Sequence, residues 1–168
     1  MVYPAPCKPA PCRPRADPPR QWAGAPHLTA NDYLSNENKP MLVRDLMTTD
    51  PVTVTPDTSL ADGLQRMAAS RVRHLLVLGS DGDVIGIVSD RDLALFYDPQ
   101  GITPDTWQQV NVSRLMTSRP VTIGSAAPLA DAARTLLESG FSALPVVDNG
   151  QLVGILTERD FVKHALKG

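Results

Sequence analysis

The sequence of 168 residues lacks several features that mark common classes of protein. It has only two cysteines, Cys7 and Cys12, which are too few for a disulfide framework and favour a reducing, cytoplasmic location. It contains no run of about 18 apolar residues, so no membrane span is expected. The N-terminus has no apolar core of the kind that signal peptides carry. The formal net charge is −2, so nucleic acid is not an expected partner.

The signatures of catalysis are also missing. We find no pattern of a nucleophile with a base, no metal-binding cluster and no phosphate-binding P-loop, so the sequence predicts a protein that is not an enzyme. Residues 1–40 hold nine of the sixteen prolines and no periodic apolar pattern, which predicts a disordered tail. Cys7, Cys12 and His27 within this tail form only a weak candidate for a metal site.

What the chain does contain, from residue 43 onward, is a tandem repeat. The segment "VRDLMTTDPVTVTPDTSLADGLQRM" begins at Val43, and "VSRLMTSRPVTIGSAAPLADAARTL" begins at Val112, an offset of 69 residues. After a turn that differs by one residue the offset becomes 68, so that "GIVSDRDL" from Gly86 matches "GILTERDF" from Gly154. A repeat of this kind predicts two copies of one structural unit.

Each copy has the pattern of a β-α-β-β-α unit. "PVTV" and "PVTI" are predicted strands, "LLVL" with "VIGIV" and "ALPVV" with "LVGIL" are predicted hairpins, and a helix is expected at each Arg-Asp pair. The apolar positions of the first helix of each copy recur at helical spacing: Leu60, Leu64, Met67 and Ala68, and Leu129, Ala133, Leu136 and Leu137.

The strands are apolar on both faces, so each sheet needs a cover on both sides. We therefore predict an α/β (α+β) fold in which two units pack sheet to sheet about a pseudo-twofold axis. The predicted boundaries are a tail over 1–40, a first repeat over 41–97, a linker over 98–111 and a second repeat over 112–168.

The repeated Ser/Thr-x-Arg-Asp sequence has two interpretations. Ser89 with Asp92, and Thr157 with Asp160, fit a capping box, in which the hydroxyl and the carboxylate satisfy the free N–H groups of a helix start. That interpretation leaves Arg91 and Arg159 unexplained, because a cation in the first helical turn opposes the helix dipole. A helix start, a hydroxyl, a guanidinium and a carboxylate that binds a diol would together suit a nucleotide.

These motifs resemble a tandem pair of cystathionine-β-synthase (CBS) domains, also called a Bateman module. The resemblance is carried by "DLMTTDPVTV", "RLMTSRPVTI" and "FSALPVVDNGQLVGILTERDF", and it covers essentially all of the chain beyond the tail. The first copy departs from the family pattern at Leu76 and Gly79, where the second copy has Pro145 and Asp148.

The resemblance implies a regulatory module that binds an adenosyl ligand, such as an adenine nucleotide, S-adenosylmethionine or NAD, between the repeats. No cofactor is required. Asp92 and Asp160 would hold the ribose, and Ser89 and Thr157 would precede them at the helix start. Arg71 and Arg73 would contact phosphate, and Val52 and Val121 would lie near the adenine. CBS pairs commonly associate through their helices, so a homodimer and an unknown regulated protein are the expected partners.

The pseudo-twofold further predicts how the cations are shared. We expect Arg91 and Arg71 beside the ligand held by Asp160, and Arg159 with Arg73 beside the ligand held by Asp92. The main rival is a dimerisation or protein-interaction subunit that binds no ligand. The Asp and Ser/Thr residues in both copies favour ligand binding.

Overall fold

The structure of the protein is a computed structural model that describes residues 35–36, 39–95 and 104–166. The three candidate metal ligands of the tail lie outside these residues. The described strands are β1 (Ser35–Asn36), β2 (Lys39–Pro40), β3 (Thr53–Val54), β4 (His74–Leu78), β5 (Val84–Ser89), β6 (Thr117–Ser118), β7 (Ala143–Asp148) and β8 (Gln151–Thr157). The described α-helices are α1 (Leu60–Ser70), α2 (Asp90–Leu95), α3 (Pro104–Gln109), α4 (Leu129–Ser139) and α5 (Glu158–Ala165).

Each repeat forms the mixed α/β unit that the sequence predicts. In the first repeat β3 pairs in parallel with β4, and β4 pairs antiparallel with β5. In the second repeat β7 and β8 form the corresponding antiparallel hairpin. The "PVTI" segment makes only a parallel bridge from Ile123 to Val146, so the predicted strand there is reduced to one pair of residues.

The two long helices begin and end at positions visible in the sequence. The Ser59 hydroxyl accepts a hydrogen bond from the Asp62 backbone N–H at 3.1 Å, as expected for a helix N-cap. Both helices end at a residue in the left-handed conformation. In α4 this residue is Gly140, with φ of 67°, but in α1 it is Arg71, with φ of 54°. Glycine adopts this conformation freely and arginine does not, so Arg71 carries a conformational cost.

The repeats exchange their leading segments. The backbone N–H of Leu60 donates to Val110 at 2.8 Å, and the N–H of its equivalent Leu129 donates to Met41 at 2.8 Å. The segment 110–118 therefore packs on the body of the first repeat, and 41–48 packs on the body of the second. Val43 and Val112, which are equivalent residues, are fully buried in the core of the opposite repeat.

The same exchange completes both sheets. Thr117 of β6 pairs with Ile87 of β5, and the equivalent Thr48 forms an antiparallel bridge with Ile155 of β8. Because both contacts recur at equivalent positions, the arrangement shows the predicted pseudo-twofold relation directly. The compact unit of the fold is thus each helix and hairpin together with a segment contributed by the other repeat.

The two sheets meet in a small apolar cluster between the repeats. Its buried members are Leu76, Ala143 and Ile155, and Ile87 and Leu152 pack against them. Burial of residues from both sheets in one cluster is the expected consequence of strands that are apolar on both faces. The larger cores, one under each helix layer, complete the two-sided cover of each sheet.

Gly154 lies where an exchanged segment crosses β8. A Cβ placed on it would lie 2.7 Å from the Thr48 carbonyl oxygen and 2.9 Å from the Met47 sulfur. The backbone atom cannot move without disturbing the bridge to Ile155. We therefore expect Gly154→Ala to lower the free energy of unfolding by about 1–3 kcal/mol, the usual cost of overpacking.

Urea denaturation checks this expectation, with Gly124→Ala as the control. A Cβ at Gly124 would meet its nearest atom, Asp148 Oδ1, at 3.6 Å, an ordinary contact. Equal stability of the two variants would show that the close approach at Gly154 is unimportant.

Two residues of the predicted apolar helix faces, Ala68 and Leu137, are exposed, and two more, Leu64 and Ala133, are only half-buried. Leu137 is 83% exposed, whereas Ala132 of the same helix is fully buried. The side chain of Leu137 points about 100° away from that of Leu136, which faces the core. Among the described residues no helix combines the length and apolar character needed to cross a membrane.

Candidate functional site

A cleft with a cavity volume of about 160 Å³ opens between the two repeats. The first repeat contributes the stretch before β3 and the turn from α1 into β4. The second contributes the end of β8 and the first turns of α5. Its lining residues are Thr48, Asp50, Pro51, Val52, Arg71, Val72, Arg73, His74, Ser142, Ile155, Thr157, Glu158, Arg159, Asp160 and Lys163.

Asp160 forms the floor of this cleft and is only 7% exposed. Its Oδ2 accepts hydrogen bonds from the Thr157 backbone N–H at 2.9 Å and from the Thr157 hydroxyl at 2.6 Å. Its Oδ1 makes no bond to the helix start, and Lys163 Nζ lies 3.6 Å from it. One carboxylate oxygen therefore fixes the side chain, and the other remains available to an incoming hydrogen-bond donor.

Asp92 has the same local geometry in the first repeat. Its Oδ2 accepts from the Ser89 backbone N–H at 2.7 Å and from the Ser89 hydroxyl at 2.7 Å. Its own backbone N–H donates to the Ser89 hydroxyl at 3.3 Å. The capping box expected from the sequence is thus present, and a free second oxygen at Asp160 makes capping compatible with ligand binding.

The cations around the Asp160 cleft come from both repeats. Arg71 and Arg73 lie in the turn between α1 and β4, and Arg159 directly precedes Asp160 in α5. Arg73 Nε donates to Asp90 Oδ2 at 3.0 Å, with both side chains about half exposed. Among the described residues neither Arg71 nor Arg159 forms an ion pair within 4.0 Å. Two guanidinium groups of this cleft are therefore left without a carboxylate partner in the described part of the chain.

A histidine and a serine join the repeats beside the cleft. His74 Nε2 and the Ser142 hydroxyl form a hydrogen bond of 2.9 Å. The pKa of His74 lies below its ordinary value of 6.5, chiefly because burial disfavours the charged ring. Arg73 and Arg91 lower this pKa further, and Asp90 and Asp92 oppose the shift. The ring therefore favours the neutral form.

This shift predicts how stability depends on pH. Because the pKa of His74 is lower in the folded chain than in the unfolded chain, its contribution is fully present above about 6.5. That contribution is lost as the pH falls from this value through the lowered pKa, where the unfolded chain binds the extra proton. We expect His74→Gln to reduce the loss of unfolding free energy between pH 7.5 and 5.5, which urea titrations at both pH values measure. An unchanged pH dependence in this variant would contradict the assignment to His74.

The structure brings together most of the residues that the sequence singled out. Thr157, Arg159 and Asp160 of the second repeat share the cleft with Val52, Arg71 and Arg73 of the first. The predicted partnership of Arg71 with Asp160 is therefore present as a spatial arrangement. Arg73 lines the Asp160 cleft and also bonds Asp90, two residues before Asp92, so its predicted role on the Asp92 side stays a prediction.

The remaining predicted residues lie elsewhere. Ser89, Arg91 and Asp92 do not line this cleft, and they occupy the equivalent place in the first repeat. Arg91 lies close enough to His74 to lower the pKa of that ring, but it is not among the lining residues, so its place beside the Asp160 ligand stays a prediction. Val121 is 46% exposed and is also absent from the lining.

The sequence does not predict nine of the fifteen residues that line the cleft, among them Lys163, His74 and Ser142. Lys163 follows Asp160 by three positions, a spacing that puts both on one helix face and would have indicated it. Ser142 and His74 gave no comparable signal, because their contact spans 68 residues and depends on how the repeats pack.

Comparison with known proteins identifies the family. The CBS domain profile matches residues 43–98 and 112–167. The chain belongs to the CBS domain family. A CBS domain-containing protein of Dictyostelium discoideum is 31% identical over 134 residues, which are 76% of this chain and 92% of that protein.

Solved structures of CBS pairs have the same fold. The Arabidopsis thaliana protein CBSX2, solved in complex with AMP, has a TM-score of 0.64 and 35% identity, and the match covers 75% of this chain and 97% of the solved chain. A CBS domain pair solved with 5′-methylthioadenosine and S-adenosyl-L-methionine has a TM-score of 0.66 at 22% identity, covering 77% and 98%, and shows the fold alone.

The match to full-length CBSX2 is shorter. That protein is described as chloroplastic, and this chain spans 58% of its length at 36% identity. The cytoplasmic location of the present chain stays a prediction.

Proposed function

We propose that the protein is a regulatory module that binds an adenosyl ligand in the cleft at Asp160 and catalyses no reaction. The proposal rests on a buried carboxylate, with one oxygen not used in helix capping, that lines a cleft together with Arg71 and Arg159, which have no carboxylate partner among the described residues. A carboxylate is suited to the two hydroxyls of a ribose, and guanidinium groups are suited to phosphate. The AMP complex of CBSX2 supports the choice of ligand class.

The apolar residues that line the cleft favour a ligand that carries a purine base. Val52 and Ile155 line the cleft, and neither carries a charge that would need to be solvated. A ligand with an aromatic base, a diol and an anionic group matches the three kinds of surface that the cleft combines, which are the apolar side chains of Val52 and Ile155, the carboxylate of Asp160 and the guanidinium of Arg71. Binding of such a ligand would connect the two repeats, which gives a physical basis for regulation because it changes the stability of their interface.

A thermal-shift screen tests the proposal. AMP, ADP, ATP, S-adenosylmethionine and NAD would each be added to the protein, with ribose 5-phosphate and UMP as controls that lack the adenine. A ligand present at 100 times its Kd adds about 2.7 kcal/mol of stability, which raises the Tm measurably. Absence of a shift with every adenosyl compound would contradict the proposal.

We also propose that the protein assembles as a homodimer through the helices of its second repeat. Leu137 of α4 is 83% exposed, Val162 of α5 is 59% exposed, and Leu166 just beyond α5 is 82% exposed. Each of these apolar side chains is exposed on or next to a helix of the second repeat, and association with a second copy through these helices would cover them. Light scattering at tens of micromolar is expected to give twice the mass of the chain, and Leu137→Glu is expected to reduce it. A monomeric mass for the unaltered protein would contradict this assembly.

A further inference from the structure

Asp160 and Lys163 form an ion pair in the lining of the cleft. Lys163 Nζ lies 3.6 Å from Asp160 Oδ1, the oxygen that takes no part in capping the helix. The Asp160 side chain is 10% exposed, whereas that of Lys163 is 58% exposed. The carboxylate is therefore fixed, and the ammonium group is held only by a long and largely solvated contact. Contacts of this kind contribute little to stability and exchange readily.

Lys163 is unique to one of the two equivalent sites. The corresponding residue of the first repeat is Leu95, which has no charge to offer to Asp92. The same asymmetry applies to Arg71 and Arg73, whose equivalents are Gly140 and Ser142. All three differences place positive charge beside Asp160 and none beside Asp92.

We propose that Lys163 is a specificity-determining residue that makes the Asp160 cleft prefer adenosyl ligands that carry phosphate. The proposal deepens the function proposed above and rests on it. When the ribose hydroxyls of a ligand donate to Asp160 Oδ1, they replace the lysine there. The long, flexible stem of lysine then lets Nζ turn to an anionic group of the same ligand, where Arg71 and Arg159 also lie.

Displacement of Lys163 from Asp160 has a different outcome for each class of ligand. A nucleotide replaces the lost contact of Lys163 with a phosphate contact, so the charge of the lysine remains compensated. A nucleoside displaces Lys163 and offers it no anion. S-adenosylmethionine carries no phosphate and has a net positive charge, because its sulfonium and ammonium groups outweigh its single carboxylate, so it suits the surroundings of Lys163, Arg71 and Arg159 less well. The expected order of affinity is therefore AMP above adenosine above S-adenosylmethionine.

Titration calorimetry with AMP and adenosine tests the role of Lys163. Lys163→Met keeps the length and apolar stem of the side chain and removes the charge. This variant is expected to bind AMP about tenfold more weakly, the effect of losing one charge-assisted hydrogen bond. Its affinity for adenosine is expected to stay equal or to rise, because no lysine has to leave Asp160. Lys163→Arg is expected to restore most of the preference for AMP.

Arg134→Met is the matched control. Arg134 Nη1 lies 3.1 Å from Asp131 Oδ1, an exposed pair at the same three-residue spacing on α4, and Arg134 is outside the cleft lining. This variant is expected to leave both affinities unchanged. An unchanged ratio of AMP to adenosine affinity in Lys163→Met would overturn the role of Lys163 alone. Failure of the unaltered protein to bind AMP, adenosine or any adenosyl compound of the thermal-shift screen would instead overturn the proposed function, and the role of Lys163 with it.

Discussion

Asp160→Asn is expected to weaken AMP binding by about 100-fold while the protein stays folded. The asparagine carbonyl can still accept the hydrogen bond from the Thr157 backbone N–H that Asp160 Oδ2 accepts at 2.9 Å. The amide group then faces the cleft with donors in place of the acceptor that the ribose hydroxyls need. Each charge-assisted hydrogen bond lost costs about 1.5–3 kcal/mol, so two lost bonds account for the expected effect.

Asp92→Asn is the control that separates binding from helix capping. Asp92 accepts the same two bonds from Ser89 that Asp160 accepts from Thr157, but it does not line the cleft. Both variants lose a negative charge at a helix start and should lose about 0.3–1 kcal/mol of stability. Only Asp160→Asn should lose AMP affinity at this cleft. Equal AMP affinity in the two variants, measured by titration calorimetry, would show that Asp160 serves only as a cap.

Arg71→Gly is expected to change stability and affinity in opposite directions. Arg71 occupies the left-handed end of α1 with φ of 54°, where the second repeat has Gly140 with φ of 67°. Glycine removes the strain, so the free energy of unfolding should rise by up to about 1 kcal/mol, reduced by the greater freedom of glycine in the unfolded chain. The same change removes a guanidinium group from the cleft, and AMP affinity should fall by about tenfold.

The opposite signs are what make this test informative. A purely structural role for Arg71 predicts a gain in stability and no change in binding. Arg119→Gly provides the comparison, because Arg119 also has a left-handed conformation, with φ of 53°, and lies outside the cleft lining. It should gain stability without losing AMP affinity, as urea denaturation and calorimetry will show. Loss of stability in Arg71→Gly with unchanged affinity would contradict the phosphate-binding role.

The sequence predicts the helices and hairpins of the fold, but it does not predict that each leading segment packs on the other repeat. The hairpins and long helices followed from apolar periodicity and from turn residues, and their duplication followed from the repeat. The contacts of 41–48 with the second repeat and of 110–118 with the first were not predicted. Their bonds, such as that from Leu129 to Met41, join residues far apart in sequence, and local pattern carries no information about such pairs.

The part of the candidate site that the sequence predicts is the part for which the repeat symmetry and the Ser/Thr-x-Arg-Asp motif point to the same residues. The partnership of Arg71 with Asp160 followed from relating one repeat to the other. Arg159, the cation beside Asp160 in sequence, lines the cleft, whereas Arg91 is not among the lining residues and its role beside the ligand stays a prediction. The contact of His74 with Ser142 joins the two repeats and depends on how their sheets pack at the cluster around Leu76. The local sequence pattern carries no information about this packing.

Chemical-shift mapping of the folded protein with AMP is the most direct test of an adenosyl site at Asp160, because it reports both whether the ligand binds and where. An adenosyl site at Asp160 predicts saturable shifts of backbone amides in residues 71–74 and 157–163 on the two sides of the cleft. Residues 89–92 should shift less, and only through the bonds that join Ser89 and Asp90 to residues 73–74. Saturable shifts confined to residues 89–92, or no shifts at millimolar AMP, would contradict an adenosyl site at Asp160.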